Sequence, residues 1–282
     1  MEVILAQSAG FCFGVKRAVD TVYELAESGR DIYTYGPIIH NEEVVSDLEK
    51  KGVKMLRDNS DLEALESGTV VIRSHGVSKE ICRIIEEKGL ECVDATCPFV
   101  KRIHKIVERE SREGKQIVII GNSRHPEVKG IMGWSETPAI VIESEEEAEN
   151  FVCLDGKDIC LVSQTTFNYN KFQDLVEIMK KKGYNISVVN TICNATEERQ
   201  AEAAAIASQV DAMIVIGGTH SSNTRKLYEI CRKECENTCF IQTLDNVQLD
   251  FPNSVFRVGI TAGASTPNNI IEEVQNYVRV NF

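Results

Sequence analysis

The feature that most restricts this chain is a layout that occurs three times. A short lead-in reaches a cysteine and a helical pattern follows at once: AGFCFGVKRAVDTVYELAE around Cys12, DATCPFVKRIHKIVERE around Cys97 and NTICNATEERQAEAAAIAS around Cys193. Val15, Ala18, Val19, Val22 and Leu25 recur at helical spacing in the first copy, as do Val100, Ile103, Ile106 and Val107 in the second. Pro98 suits a first helical turn, and Cys193 is followed by Asn194, Thr196 and a carboxylate-rich turn. Cys12 and Cys97 are 85 residues apart and Cys97 and Cys193 are 96 apart, close to the 94 that make one third of 282 residues. Self-similarity of this kind points to a repeated structural unit.

A second element also recurs, an apolar run ending in a polar loop with a helix after it. The copies are VVIRSHGVSKEI with His75, IVIIGNSRHPEVKGI with His125, and AMIVIGGTHSSNTRKL with Ser221, Ser222 and Asn223. Continuous runs such as Val70–Ile72 and Ile117–Ile120 read as strands of a buried parallel sheet. Their alternation with helices predicts an α/β fold with parallel sheets. Ligands collect at the carboxyl ends of such strands, which is where these polar loops fall. The expected organisation is three similar α/β lobes, 13–97, 98–190 and 191–270, with 1–12 joining the centre and 271–282 a C-terminal tail. They are expected to act as one catalytic unit.

Composition narrows the function. A net charge of −12 argues against a nucleic-acid partner, and no apolar run reaches the roughly 18 residues of a membrane span. The opening MEVILAQSAG has an acidic second residue and a short apolar stretch, unlike a secretory signal, so a cytoplasmic location is expected. Ten cysteines are too few for a disulfide scaffold and many for a reducing compartment. A helix N-terminus favours the thiolate, so one cysteine per lobe suits a central metal site. Three thiolates could hold three irons of a cluster and leave the fourth open to substrate. The spacing alone, with no compact CxxC pair among the three, fits buried structural thiols as well. Cys231, Cys235 and Cys239 read as packing residues on one helical face, Cys82 and Cys160 as core, and Cys92 and Cys153 as structural or incidental.

His40 in GPIIHN, His75 in RSHGV and His125 in SRHPEV occupy loops of one kind, where imidazoles can donate to phosphate oxygens. His104 reads as a partly exposed helix residue, and His220 stays open between the two roles. Ser221–Asn223 and GASTP at Gly263–Pro267 are small polar loops that open helices, as caps or as donors around a phosphate. SQTT at Ser163–Thr166 leaves another strand. Glu127 reads as a solvated first-turn carboxylate or, if buried, as a proton donor with a raised pKa.

Taken together, AGFCFGVKRA, GPIIHN, RSHGV, DATCP, HPEV, SQTT, the CNAT–RQ stretch, HSSNT and TAGASTP give the chain a specific resemblance. It resembles the 4-hydroxy-3-methylbut-2-enyl diphosphate reductase family of the methylerythritol phosphate route to isoprenoids. The resemblance implies a pseudo-threefold, trefoil-like α/β fold around a central 4Fe–4S cluster held by Cys12, Cys97 and Cys193. It implies a diphosphate held by His40, His75, His125, Ser221, Ser222, Asn223 and Ser265. Glu127 would supply protons, with Thr165 beside the substrate hydroxyl and Gln164 and Thr196 in support. The implied reaction is reductive dehydroxylation to isopentenyl and dimethylallyl diphosphate, with a donor such as ferredoxin or flavodoxin. The rival readings are another three-cysteine cluster enzyme such as quinolinate synthase, whose substrates are carboxylates, and a non-catalytic iron–sulfur binding or sensor protein.

Overall fold

Apolar runs bounded by polar loops become parallel strands here, and amphipathic stretches become the helices between them. The structure is a computed structural model describing residues 1–153, 156–244 and 255–281. The chain opens with β1 (Glu2–Leu5), α1 (Phe13–Ala26), β2 (Ile32–Tyr35), α2 (Glu42–Lys50), β3 (Lys54–Leu56), α3 (Asn59–Ala64), β4 (Thr69–Ile72), α4 (Lys79–Glu87) and β5 (Glu91–Asp94). It continues through α5 (Pro98–Arg112), β6 (Gln116–Ile120), α6 (Pro126–Met132), β7 (Ile140–Ile142), α7 (Glu145–Asn150), β8 (Ile159–Ser163), α8 (Tyr169–Lys181) and β9 (Ile186–Val188). It closes with α9 (Asn194–Ala207), β10 (Ala212–Ile216), α10 (Ser222–Glu234), β11 (Thr238–Ile241), β12 (Arg257–Ala262) and α11 (Asn268–Asn281).

The chain divides into two compact units. The larger, Arg17–Ile38 with Asp47–Cys193, carries two parallel four-stranded sheets ordered β3-β2-β4-β5 and β7-β6-β8-β9. In both, the first strand in the chain lies between the second and the third. The first and third are therefore central neighbours, and their connections leave in opposite directions. Loops after such a pair form the usual ligand crevice of an open parallel sheet. The β6 and β8 strands are buried almost throughout, and Phe172, Leu175 and Met179 of α8 close one face over them. Each such side chain contributes about 1.5–3 kcal/mol by leaving water.

The other unit, Met1–Lys16, Ile39–Ser46 and Asn194–Phe282, carries the third parallel sheet, ordered β1-β12-β10-β11. With β10 counted as first strand, this is the same order, except that the fourth place is taken by β1 from the start of the chain. Residues 1–12 thus contribute a strand paired with β12, Glu2 opposite Arg257. Residues 271–281 form the body of α11, with Ile271, Val274 and Val278 buried against this sheet. In each sheet the fourth strand, β5, β9 or β1, leads directly to one of the repeated cysteines and its helix.

One expectation needs correction. Cys231, Cys235 and Cys239 do not share a helical face. α10 ends at Glu234, Cys235 is extended at φ −133° and ψ 111°, and Cys239 lies in β11. The TCFI segment gains more as a strand paired with β10 than as another helical turn, as its β-branched and aromatic residues favour. Cys231 and Cys235 are buried core residues, as their surroundings suggested.

Candidate active site

The expected catalytic and substrate-binding residues lie on the loops, or in the first helical turns, that follow the first and third strands of each sheet. β2 leads to His40 and β4 to His75; β6 leads to His125 and Glu127, and β8 to Thr165; β10 leads to Ser221–Asn223 and β12 to Ser265. The repeat extends to single hydrogen bonds. The Cys97 N–H donates to the Ser74 carbonyl at 2.9 Å, that of Cys193 to Thr165 at 3.1 Å, and that of Cys12 to Ala264 at 3.3 Å. Each acceptor lies two residues beyond its strand, β4, β8 or β12. Every repeated cysteine is therefore tied by its backbone to a loop that carries a site residue.

In the larger unit, Glu127 is 1% exposed. The Thr165 N–H donates to its Oε1 at 2.6 Å and the Thr165 hydroxyl to its Oε2 at 2.8 Å. Burial pushes its pKa up to about 7, outweighing these two bonds, which favour the ionised form. The reading of Glu127 as a solvated carboxylate is thereby corrected: α6 turns it inward, while the Pro126 at its first position and His125 as cap fix where the helix starts. The His125 Nδ1 accepts from the Glu127 N–H at 3.2 Å, so a neutral His125 carries its proton on Nε2 and can donate from there. The His75 and His125 rings meet edge to face with centroids 5.4 Å apart. Gln164 is buried, accepting from the Asn122 N–H at 3.1 Å and donating to the Thr166 hydroxyl.

Sequence reasoning missed what holds the His75 loop. Gly76 has φ +71°, and a Cβ there would sit 2.6 Å from Cε1 of His104. His104 is not on the surface but 5% exposed, stacked on Trp134 with centroids 5.1 Å apart. Desolvation pushes its pKa down to about 4. The Trp134 indole N–H donates to the Val77 carbonyl at 2.9 Å. The signal was available in the isoleucine and valine periodicity of α5, which places His104 beside Ile103 on the buried side.

In the other unit, the Ser265 hydroxyl donates to the His40 carbonyl at 3.2 Å, and a Cβ on Gly218 would lie 2.7 Å from that same oxygen. The β10 and β12 loops thus lie against the His40 backbone. Ser221 caps α10, accepting from the Thr224 N–H at 3.3 Å. Asn223 is 5% exposed, and neither Oδ1 nor Nδ2 has a partner among the described residues. Ser222 is partly exposed, and Thr196 is buried in the first turn of α9. His220, left open by the sequence, is exposed and 3.8 Å from Glu42. Arg199, also missed, is buried and donates to the carbonyls of Gly10 at 2.9 Å and Ala262 at 2.8 Å, bracing the Cys12 lead-in.

No helix among the described residues is long and apolar enough to cross a membrane. Comparison with known proteins gives a consistent result. Residues 3–279 match the family model described as LytB protein. The chain is 47% identical to the 4-hydroxy-3-methylbut-2-enyl diphosphate reductase of Caldanaerobacter subterraneus subsp. tengcongensis, covering 97% of this chain and 95% of the relative. It is 46% identical to the protein of the same name from Geobacter sulfurreducens, with the same coverage of each. Among solved structures, the E-1-hydroxy-2-methyl-but-2-enyl-4-diphosphate reductase from Plasmodium falciparum matches with a TM-score of 0.91 at 29% identity, over 99% of this chain and 87% of that one. A second, of the (E)-4-hydroxy-3-methyl-but-2-enyl diphosphate reductase described as the terminal enzyme of the non-mevalonate pathway, matches with a TM-score of 0.69 at 42% identity over 99% of each chain. The repeated cysteines, the buried Glu127–Thr165 pair and these matches place the chain in the LytB protein family, the family of the 4-hydroxy-3-methylbut-2-enyl diphosphate reductases.

Proposed function

We propose that the chain carries out the reaction its relatives are named for. It reduces 4-hydroxy-3-methylbut-2-enyl diphosphate to isopentenyl diphosphate and dimethylallyl diphosphate, the last step of the methylerythritol phosphate route. The balance is two electrons and two protons in, one carbon–oxygen bond broken, one carbon–hydrogen bond formed and one water released. The observation that carries this reading is Glu127, a buried carboxyl whose pKa of about 7 keeps a proton available near neutrality. Thr165 Oγ1, 2.8 Å from Glu127 Oε2, is the atom through which that proton reaches the departing hydroxyl.

Cys12, Cys97 and Cys193 fit as ligands of a 4Fe–4S cluster. All three stand outside any disulfide and are partly exposed, and each precedes a helix of 14 or 15 residues. Elsewhere burial works against the thiolate a metal needs: it pushes Cys82, Cys160 and Cys239 up to about 11 and Cys231 up to about 12. When bound, the cluster supplies the electrons to the substrate and an open iron for its hydroxyl.

His40, His75, His125, Ser221, Ser222, Asn223 and Ser265 hold the diphosphate. These side chains can all donate hydrogen bonds, so a chain of net charge −12 takes up an anion without a lysine or arginine cage. Asn223, buried with its amide unpartnered among the described residues, is the residue most plainly left for a ligand. Gln164 and Thr196 support the network. A donor such as ferredoxin or flavodoxin and a cytoplasmic location belong to the same reading, as do lobes 13–97, 98–190 and 191–270 acting together.

Anaerobic reconstitution with iron and sulfide, followed by turnover of the hydroxylated diphosphate with reduced methyl viologen, tests the proposal. Both products should form. Cys12→Ser, Cys97→Ser and Cys193→Ser should each lose most bound iron, whereas Cys235→Ser should keep it. Full iron in the first three, or no product from the loaded protein, overturns the assignment.

A further inference from the structure

We propose that a basic groove along α5 is the docking surface for a small acidic electron-carrier protein, an inference that rests on the reductase reading above. The groove has a volume of about 620 Å³. Every polar side chain among the described residues that line it is a cation, Lys101, Arg102, Lys105 or Arg109, over an apolar floor that includes Pro98 and Ile106. In a chain of net charge −12 this is a local reversal of sign. Lys101 pairs with Asp94 at 2.6 Å, and Arg109 shares Glu110 with Lys115. Arg102 and Lys105 are exposed and form no ion pair among the described residues. No described acidic group pairs with their charge.

Position argues for the occupant. The groove starts at Pro98, the residue after Cys97, and α5 carries it away from that cysteine. At about 1.5 Å of rise per residue, Lys101 and Lys105 lie about 6 and 12 Å along the axis from Cys97. Phe99, 41% exposed, puts an aromatic contact at the same end. The reaction consumes two electrons that no side chain of this chain supplies. Two reduced one-electron carriers, each oxidised once per turnover, close the balance with the two protons and the water already counted. A carrier must arrive, deliver and leave. Small interfaces steered by opposite charge suit that cycle, because rim charges raise the rate of encounter more than they tighten the complex.

The test is the pair Arg102→Glu and Lys105→Glu, made together on exposed sites so that the fold is kept, with the glutamine pair as the milder change. Binding of an oxidised ferredoxin and an oxidised flavodoxin is measured by calorimetry at low and moderate salt, independently of turnover. The unaltered protein should bind at least one carrier with an affinity that falls as salt rises. The glutamate pair should bind it about tenfold more weakly, with the glutamine pair between. Turnover driven by reduced methyl viologen should stay within about twofold in both variants, while the KM for the reduced carrier should rise about tenfold. Unchanged carrier binding in the glutamate pair overturns the proposal. So does a groove that binds a single-stranded oligonucleotide more tightly than either carrier. Failure of viologen turnover in the unaltered protein would instead strike the reductase reading and leave the binding result standing.

Discussion

The loops of two sheets invite comparison, because strand order is the same and the chemistry is opposite. Beyond β6 and β8, Glu127 is sealed in and both of its oxygens accept from Thr165. Beyond β10 and β12, Asn223 is also buried, yet its amide has no partner among the described residues. Glu127 finds its partners within its own sheet's loops, and the Asn223 amide finds none among the described residues. The repeated scaffold therefore decides where a residue stands, while the neighbours decide whether its polar atoms are satisfied by protein.

The largest effect that tests this contrast is Glu127→Gln. The amide keeps an acceptor for the Thr165 N–H, and the Thr165 hydroxyl can rotate to accept from its NH₂. Turnover should fall by about 10²–10³-fold with KM for the diphosphate nearly unchanged, measured by anaerobic steady-state assay. A variant within threefold of normal turnover would break the comparison at its stronger end. Next comes Asn223→Ala, which should weaken substrate binding about 10–100-fold, the worth of a hydrogen bond to a charged group. It should leave the melting temperature level or slightly raised, because no protein partner is orphaned. A clear loss of stability would show that Asn223 is structural.

The pH dependence sharpens the proton-holding side. A general acid must be protonated, so with a pKa of about 7 its contribution is full below pH 7. kcat should fall towards tenfold per unit above it, and the Glu127→Gln profile should lack this limb. The same carboxyl should make stability decline between about pH 4.5 and 7. Through that window the unfolded chain loses the proton and the folded one keeps it. The smallest expected effect is Trp134→Phe, which keeps a ring on His104 but leaves the Val77 carbonyl without its indole donor. A loss of about 1 kcal/mol in urea unfolding is expected, with a modest rise in KM through the His75 loop. No change would mean that the loop is held by Gly76 packing alone.

Much of this was legible because α/β proteins write their edges into the sequence. Continuous apolar runs marked β4, β6, β8 and β10, and the polar residues after them marked the loops. Glu127 was legible as a place but not as an environment, since nothing local distinguishes a first-turn glutamate in water from one closed in by Thr165. His104 was misjudged because lysines and an arginine beside it on α5 hid the turn that faces Trp134. The break between Cys231 and Cys239 was lost to even spacing, which suits a helix until TCFI pairs as a strand. Arg199 could not be found from its neighbours, since both carbonyls it braces come from other parts of the chain.

The placement of β1 has a consequence for how the protein is made. Glu2–Leu5 leaves the ribosome before every other strand described here, yet its partner β12 follows some 250 residues later. The two sheets between can each close from consecutive strands while synthesis continues. The third cannot, because its fourth place is taken by a strand made before both of those sheets. At about 5–20 residues per second, that segment waits on the order of ten seconds or more, with Cys12 beside it still without the Ala264 carbonyl. Completion of this sheet is then a late, long-range closure, and a chain interrupted anywhere before β12 carries a cysteine whose anchor was never made.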